Sequence, residues 1–161
     1  CLAIFCEKTI GQSSNRTIQY LDGVWLLEEE SAKILFYFKT KSFAEDHSLG
    51  EKLYTSRGNF ITAVKGKREI SSMTGVFKSF ENTGSEKKIM LELISFKHHT
   101  FIISDSQIYS SNRFNKIDIL ITKLMENELT QTGYNPFKRV ASNEVQSQTF
   151  LRSFLGENLF K

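Results

Sequence analysis

A single proline in 161 residues leaves little to interrupt regular structure, and the nine glycines are scattered along the chain. Scattered glycines exclude the phosphate cradles and nucleophile elbows that need them at fixed spacing, and no such motif occurs. Both cysteines, Cys1 and Cys6, stand at the extreme N-terminus, so no second pair exists to complete a zinc site. They are near enough to pair with each other in a small loop, which acylation of Cys1 would exclude. No apolar run approaches the roughly 18–20 residues of a membrane-spanning helix. The net charge of +3 is too small for the dense basic surface of a typical nucleic-acid binder. Histidine is also scarce. His98 and His99 are adjacent, so on a strand they point to opposite faces and do not share a metal, and His47 has no Asp or Cys partner at a recognisable spacing. These absences leave no catalytic constellation, and neither a metal nor a cofactor is expected.

What the chain does have is apolar strand-length runs. Three follow one another from Glu86 to Leu124: Ile89 to Phe96, Phe101 to Tyr109, and Ile117 to Leu124. Each is rich in Ile, Phe or Tyr, which suit a pleated, half-buried surface, and the short breaks between them force antiparallel neighbours. Earlier runs are Ile18 to Leu27, Lys33 to Lys39, a brief strand around Leu53-Tyr54, Asn59 to Val64, and Ile70 to Phe80; a last short one spans Leu129 to Thr132. Phe43 to Arg57 is weakly patterned and reads mostly as a loop. Gly75, inside its run, predicts a bulge or a close approach of two backbones. Glu28-Glu29-Glu30 reads as a solvated turn, because three consecutive carboxylates cannot all face one ion. Eight to nine strands at this spacing predict an antiparallel meander closing into a barrel, a mainly β fold.

The two ends differ in character. Residues 1–16 form a lead-in or tether, apolar from Leu2 to Phe5, and residues 17–140 form the barrel. Residues 141–161 form a C-terminal helical extension. There Asn143 is an N-cap candidate with Gln146 three residues on, and Val145, Phe150, Leu151, Phe154, Leu155 and Leu159 fall at helical spacing, with Gly156 as the stop. That amphipathic stripe either packs on the barrel or meets a partner, with Phe150, Leu151, Phe154 and Leu155 as the contact residues. Cys1 is either the acylated first residue of a mature bacterial lipoprotein or simply where the sequence starts. Several acyl chains on one cysteine would hold the domain on a membrane.

Gly23-Val24-Trp25, early in the barrel region, resembles the G-x-W signature of the lipocalins, and Ile121 to Leu129 is similar to the final strand-turn-strand of bacterial lipocalin-like lipoproteins. The T-D-Y motif of the core lipocalins is absent. The resemblance spans roughly residues 17–140. It implies a barrel of about eight strands, with Trp25 at the closed end and a basic residue, Arg139 by its order in the chain, packed across it. It also implies an interior either filled by side chains or open to a small apolar ligand. Phe36, Phe38, Phe60, Phe77, Phe101 and Tyr109 are the candidate lining. Three functions follow as expectations. The first is a non-enzymatic lipoprotein of the outer membrane, anchored through Cys1 on the periplasmic or surface side, serving as accessory subunit to other envelope proteins. The second is a carrier of a small hydrophobic ligand. The third is a barrel for single-stranded nucleic acid using Lys65, Lys67 and Arg68, with Lys39 and Lys41, although that basic cluster also suits a solvated hairpin or anionic headgroups.

Overall fold

In a computed structural model the chain is described over residues 21–46, 53–82 and 88–160. The strands are β1 (Gly23–Glu28), β2 (Lys33–Asp46), β3 (Leu53–Lys65), β4 (Glu69–Asn82), β5 (Ile89–Ile102), β6 (Gln107–Ser111), β7 (Asn115–Leu124), β8 (Glu128–Gln131) and β9 (Phe137–Ala141); one helix, α1 (Glu144–Leu155), follows them. All pairings are antiparallel. β1 pairs with both β2 and β9, and the run β2-β3-β4-β5-β7-β8-β9 returns to it, so eight strands close on themselves. The protein is therefore an eight-stranded antiparallel barrel with β6 outside the ring and one C-terminal helix.

Alternation along the strands sorts the apolar side chains into two cores. Trp25, Leu27, Phe36, Phe38, Phe60, Phe77, Leu91, Leu93, Ile119, Ile121, Leu129 and Phe137 form one buried cluster. It draws on all eight ring strands, which only the barrel lumen can do. Val24, Leu35, Tyr37, Ala63, Ile70 and Ala141 gather with Leu151, Phe154 and Leu155 of α1 in a second cluster. This second core is the outer wall of the barrel, covered by the helix. Strands β1 and β2 are thus buried on both faces, which is why they read as continuous apolar runs and not as a strict alternation.

Of the four bulges among the described residues, at Phe96, Lys41, Val140 and Thr122, the first two bend the long strands of the wall. In β5, Ser95 faces Gly75 and Lys97 faces Thr74, leaving Phe96 as an extra residue; in β2, Thr40 faces Gly58 and Ser42 faces Arg57, leaving Lys41 extra. Both of these bulges lie against a glycine. A Cβ on Gly75 would collide with the carbonyl oxygen of Ile94, and one on Gly58 with that of Lys39. The backbones approach so closely there that a side chain has no room.

Several expectations need correction. Phe101 to Tyr109 is not one strand: Phe101 and Ile102 are the last residues of β5, a turn over residues 103–106 intervenes, and Tyr109 sits in β6. The weakly patterned Phe43 to Arg57 carries the end of β2 and the start of β3, which runs unbroken to Lys65. Phe137–Ala141, which reads as no strand at all, is β9 and closes the ring. The helix stands where the capping residues place it. Asn143 Oδ1 accepts from the Gln146 amide at 2.8 Å, and Gly156 ends the helix at φ 80°. Its apolar face is turned inward: Leu151, Phe154 and Leu155 are spent on the barrel, so they are not a partner-binding stripe, and Phe150 stacks on Phe154 at 6.2 Å. Val145 does not join that face and is 78% exposed. The lead-in, residues 1–16, and the loop at residues 83–85 lie outside the described residues.

Candidate ligand site at the open end of the barrel

One end of the barrel is sealed by Trp25. The indole is fully buried and its N–H donates to the Leu21 carbonyl at 2.8 Å. The guanidinium of Arg139, opposite it in the ladder, lies 4.3 Å from the ring centroid. Arg139 also donates to the carbonyls of Asp22 and Glu126, so one side chain ties β9 to the chain entering β1 and to the β7–β8 turn. Gly23 makes this possible: it sits at φ 121°, and a Cβ there would strike the Ala141 carbonyl oxygen and crowd the guanidinium. Asp22 Oδ1 accepts from the Thr40 amide at 2.8 Å and from its hydroxyl at 2.6 Å. Burial raises the Asp22 carboxyl above the ordinary value, against the opposing pull of the Thr40 bonds and the Arg139 charge. A charge held over an aromatic face in a half-buried setting contributes on the order of 1–2 kcal/mol, and here it closes the barrel floor.

Above the floor the lumen is filled. Phe36 and Phe38 stack at 5.6 Å, Phe77 meets Phe38 edge-on at 5.4 Å, and Phe60 is fully buried among them. The hydroxyls of Ser56 and Ser79, both fully buried, satisfy each other.

The opposite end is open. A cavity of about 250 Å³ is lined by Ile34, Phe36, Val64, Met73, Ile117 and Phe137, with Thr62, Asp118, Gln131 and Tyr134 as its polar groups. Although Val64 points into the lumen, it is 42% exposed, which marks this end as solvent-accessible. The lining offers mostly apolar contact, the neutral groups of Gln131 and Tyr134, the Thr62 hydroxyl, which is spent on the Leu35 carbonyl, and one exposed carboxylate, Asp118, which disfavours an anion. That chemistry suits an uncharged or weakly polar molecule with one end at the rim.

A larger groove of about 480 Å³ runs outside the barrel between the start of α1 and the wall of β2–β5. Three of its polar groups converge on Glu144. The Tyr37 hydroxyl donates to Glu144 at 2.8 Å, the Gln148 amide donates to the same carboxylate at 2.8 Å, and Lys39 lies 3.6 Å away. Burial, then the Glu144 bond and charge, raise the Tyr37 phenol well above its usual range. For Glu144, burial pulls upward but the bonds from Tyr37 and Gln148 and the Lys39 charge outweigh it, leaving the carboxyl below its ordinary value. The network staples the first turn of α1 to β2, a structural task that leaves the barrel mouth as the better ligand site.

The chain matches no known protein-family model, no curated protein and no solved structure.

The residues singled out from sequence divide among several places. Phe36 lines the cavity, and Phe38, Phe60 and Phe77 pack beneath it as its support. Phe101 and Tyr109 do not line it. Counting alternate residues from Leu91 and Leu93 puts Phe101 in the lumen, but the extra residue Phe96 reverses the faces, and Phe101 packs on the outer cluster opposite Ile70. Tyr109, on β6 outside the ring, is 59% exposed. Trp25, Gly23 and Arg139 come together at the floor. The basic residues do not form one patch. Lys65 reaches the Phe154 carbonyl at 3.3 Å and its ring at 5.5 Å, while Lys39 lies six ladder positions away on β2, on the order of 20 Å at the strand rise. His98 and His99 bond to separate serines, Ser95 and Ser110, and among the described residues no cluster of three metal-ligating side chains occurs. Cys1, Cys6 and His47 lie outside the described residues. Sequence reasoning missed Ile34, Val64, Met73, Ile117, Tyr134 and Phe137. The first two share a face with Phe36 and Phe60 by simple alternation, whereas Phe137 lies in the strand that went unread.

Proposed function

We propose that this barrel binds and carries a small apolar molecule in its open end, a lipocalin-like carrier function. The observation behind the reading is the combination of a packed aromatic floor with an open cavity of about 250 Å³ lined by aliphatic and aromatic side chains. Size limits the ligand. Engineered apolar cavities of about 150 Å³ admit benzene, and drug-sized ligands need roughly 300 Å³ or more, so the fit is a single substituted ring or a short alkyl chain. Eight methylene groups buried at ~0.8 kcal/mol each set a ceiling near 6 kcal/mol. That corresponds to a Kd of roughly 40 µM, and the cost of immobilisation weakens it further.

The test is calorimetric titration of the purified protein with p-xylene and with 1-octanol, repeated on Met73→Trp, whose indole fills the cavity from β4. The expected result is binding with a negative heat-capacity change in the wild type and its loss in the variant at unchanged Tm. No binding of either probe, or binding that survives Met73→Trp, overturns the reading.

A further inference from the structure

β6 is the edge of the sheet: among the described residues β5 is its one neighbour. It pairs with the end of β5, from His98 to Ile102, past the point where the β5–β7 ladder stops at Ser95 and Asn115. All five of its residues are exposed. Free edges are ordinarily guarded by charges, proline, or a bulge, because an unpaired row of N–H and C=O groups is a template for another strand. Gln107-Ile108-Tyr109-Ser110-Ser111 carries no charge, no proline and no glycine, and its ladder to β5 has no bulge. Apolar side chains stand exposed along the same strip, among them Ile108, Tyr109 and, just beyond the strand, Phe114 at 80%.

The charges that flank this neutral strand have opposite sign and equal spacing. Asp105 lies four residues before Tyr109 and Arg113 four residues after it, both are exposed, and neither has an ion-pair partner among the described residues. A two-fold axis at Tyr109 pairs two β6 strands antiparallel, with Tyr109 opposite Tyr109, Ile108 opposite Ser110 and Gln107 opposite Ser111. The antiparallel arrangement also brings the strand end that follows Asp105, in the β5–β6 turn, beside the partner's strand end that leads to Arg113. A parallel pairing would instead bring Asp105 near Asp105 and Arg113 near Arg113. Charge complementarity therefore favours a second, antiparallel copy of this chain as the occupant.

We infer that β6 is a self-association edge, through which two copies of this chain join their sheets in an antiparallel, two-fold dimer. The interaction is isologous, so it closes at two and does not propagate. A five-residue strand makes a small interface, which places the dimer among weak, concentration-dependent associations. This goes beyond the carrier reading and does not depend on it, since β6 lies apart from the cavity lining.

Sedimentation equilibrium of the full chain over a wide concentration range tests it. The mass should rise from 18.5 kDa toward twice that value as concentration increases. Asp105→Arg alone or Arg113→Asp alone puts like charges at both ends of the ladder and should weaken dimerisation about tenfold or more. The double variant restores opposite charges and should regain the wild-type constant. Tyr109→Lys, which sets two ammonium groups against each other on the axis, should leave a monomer. All these side chains are exposed, and an unchanged circular dichroism spectrum confirms that each variant is folded. A wild-type mass that stays at 18.5 kDa overturns the inference, as does a double variant no better than either single one. Slow exchange, in a monomeric wild type, of the β6 amides that point away from β5 also overturns it, by showing that the edge is already covered.

Discussion

Replacing Phe137 with Ala tests the packed-floor, open-mouth arrangement at the residue where the two meet. Phe137 is fully buried, packs against Phe36 at 5.4 Å and Tyr134 at 6.5 Å, and forms part of the cavity wall. Truncating a buried Phe costs about 3–5 kcal/mol, most where the void left behind is sealed and dry. Here the void merges with a cavity that already opens to solvent, so the lower end, about 3 kcal/mol, is expected. For a chain of this size each kcal/mol moves Tm by about 2–4 °C, giving a fall of roughly 6–12 °C. Urea unfolding should show the lower midpoint at an unchanged slope, the sign that stability and not compactness has changed. The enlarged cavity should also accept a two-ring probe such as naphthalene, which the wild type excludes. A loss below about 1 kcal/mol would refute the reasoning, because it would mean that the Phe137 ring is not packed into a continuous lumen core.

Gly75→Ala should cost about 3 kcal/mol, the upper part of the range for overpacking, since its Cβ meets backbone of β5 and not a movable side chain; the urea midpoint reads it. Asn143→Ala removes the cap of α1 and should cost about 1 kcal/mol, with faster amide exchange at Gln146 as the local sign. Because the folded Tyr37 phenol is raised above 10.0, the unfolded chain loses that proton first as pH rises. The contribution of Tyr37 to stability is therefore complete below pH 10 and lost above it. Thermal scans should show wild-type stability falling more steeply above pH 10 than that of Tyr37→Phe; parallel curves would remove Tyr37 from the account.

Much of the fold was legible because alternation is a local property. Ile34, Phe36 and Phe38 against Leu35 and Tyr37 announce a strand with two apolar faces, and the structure uses both, one for the lumen and one for α1. The helix was equally legible, since Asn143 and Gln146 sit three apart and the cap needs nothing distant. β9 was not. Its ladder shifts between the Trp25–Arg139 and Val24–Ala141 pairs, so Val140 is extra and the alternation of Phe137 and Arg139 breaks before Ala141. The cavity was only partly legible. Phe36 was read as lining, but Phe101 was assigned to the same space by an alternation that the bulge at Phe96 reverses.

By itself the sequence determined where most of the strands form, where the helix starts, and that no recognised catalytic motif exists, because residue type, spacing and capping act within a few positions along the chain. The tertiary structure alone decided which face of each strand became lumen, since one extra residue in a ladder turns every following side chain over. It alone closed the ring through β9 and left β6 as an edge. Those outcomes depend on strands more than a hundred residues apart finding a common register, and no local pattern encodes the register of a distant neighbour.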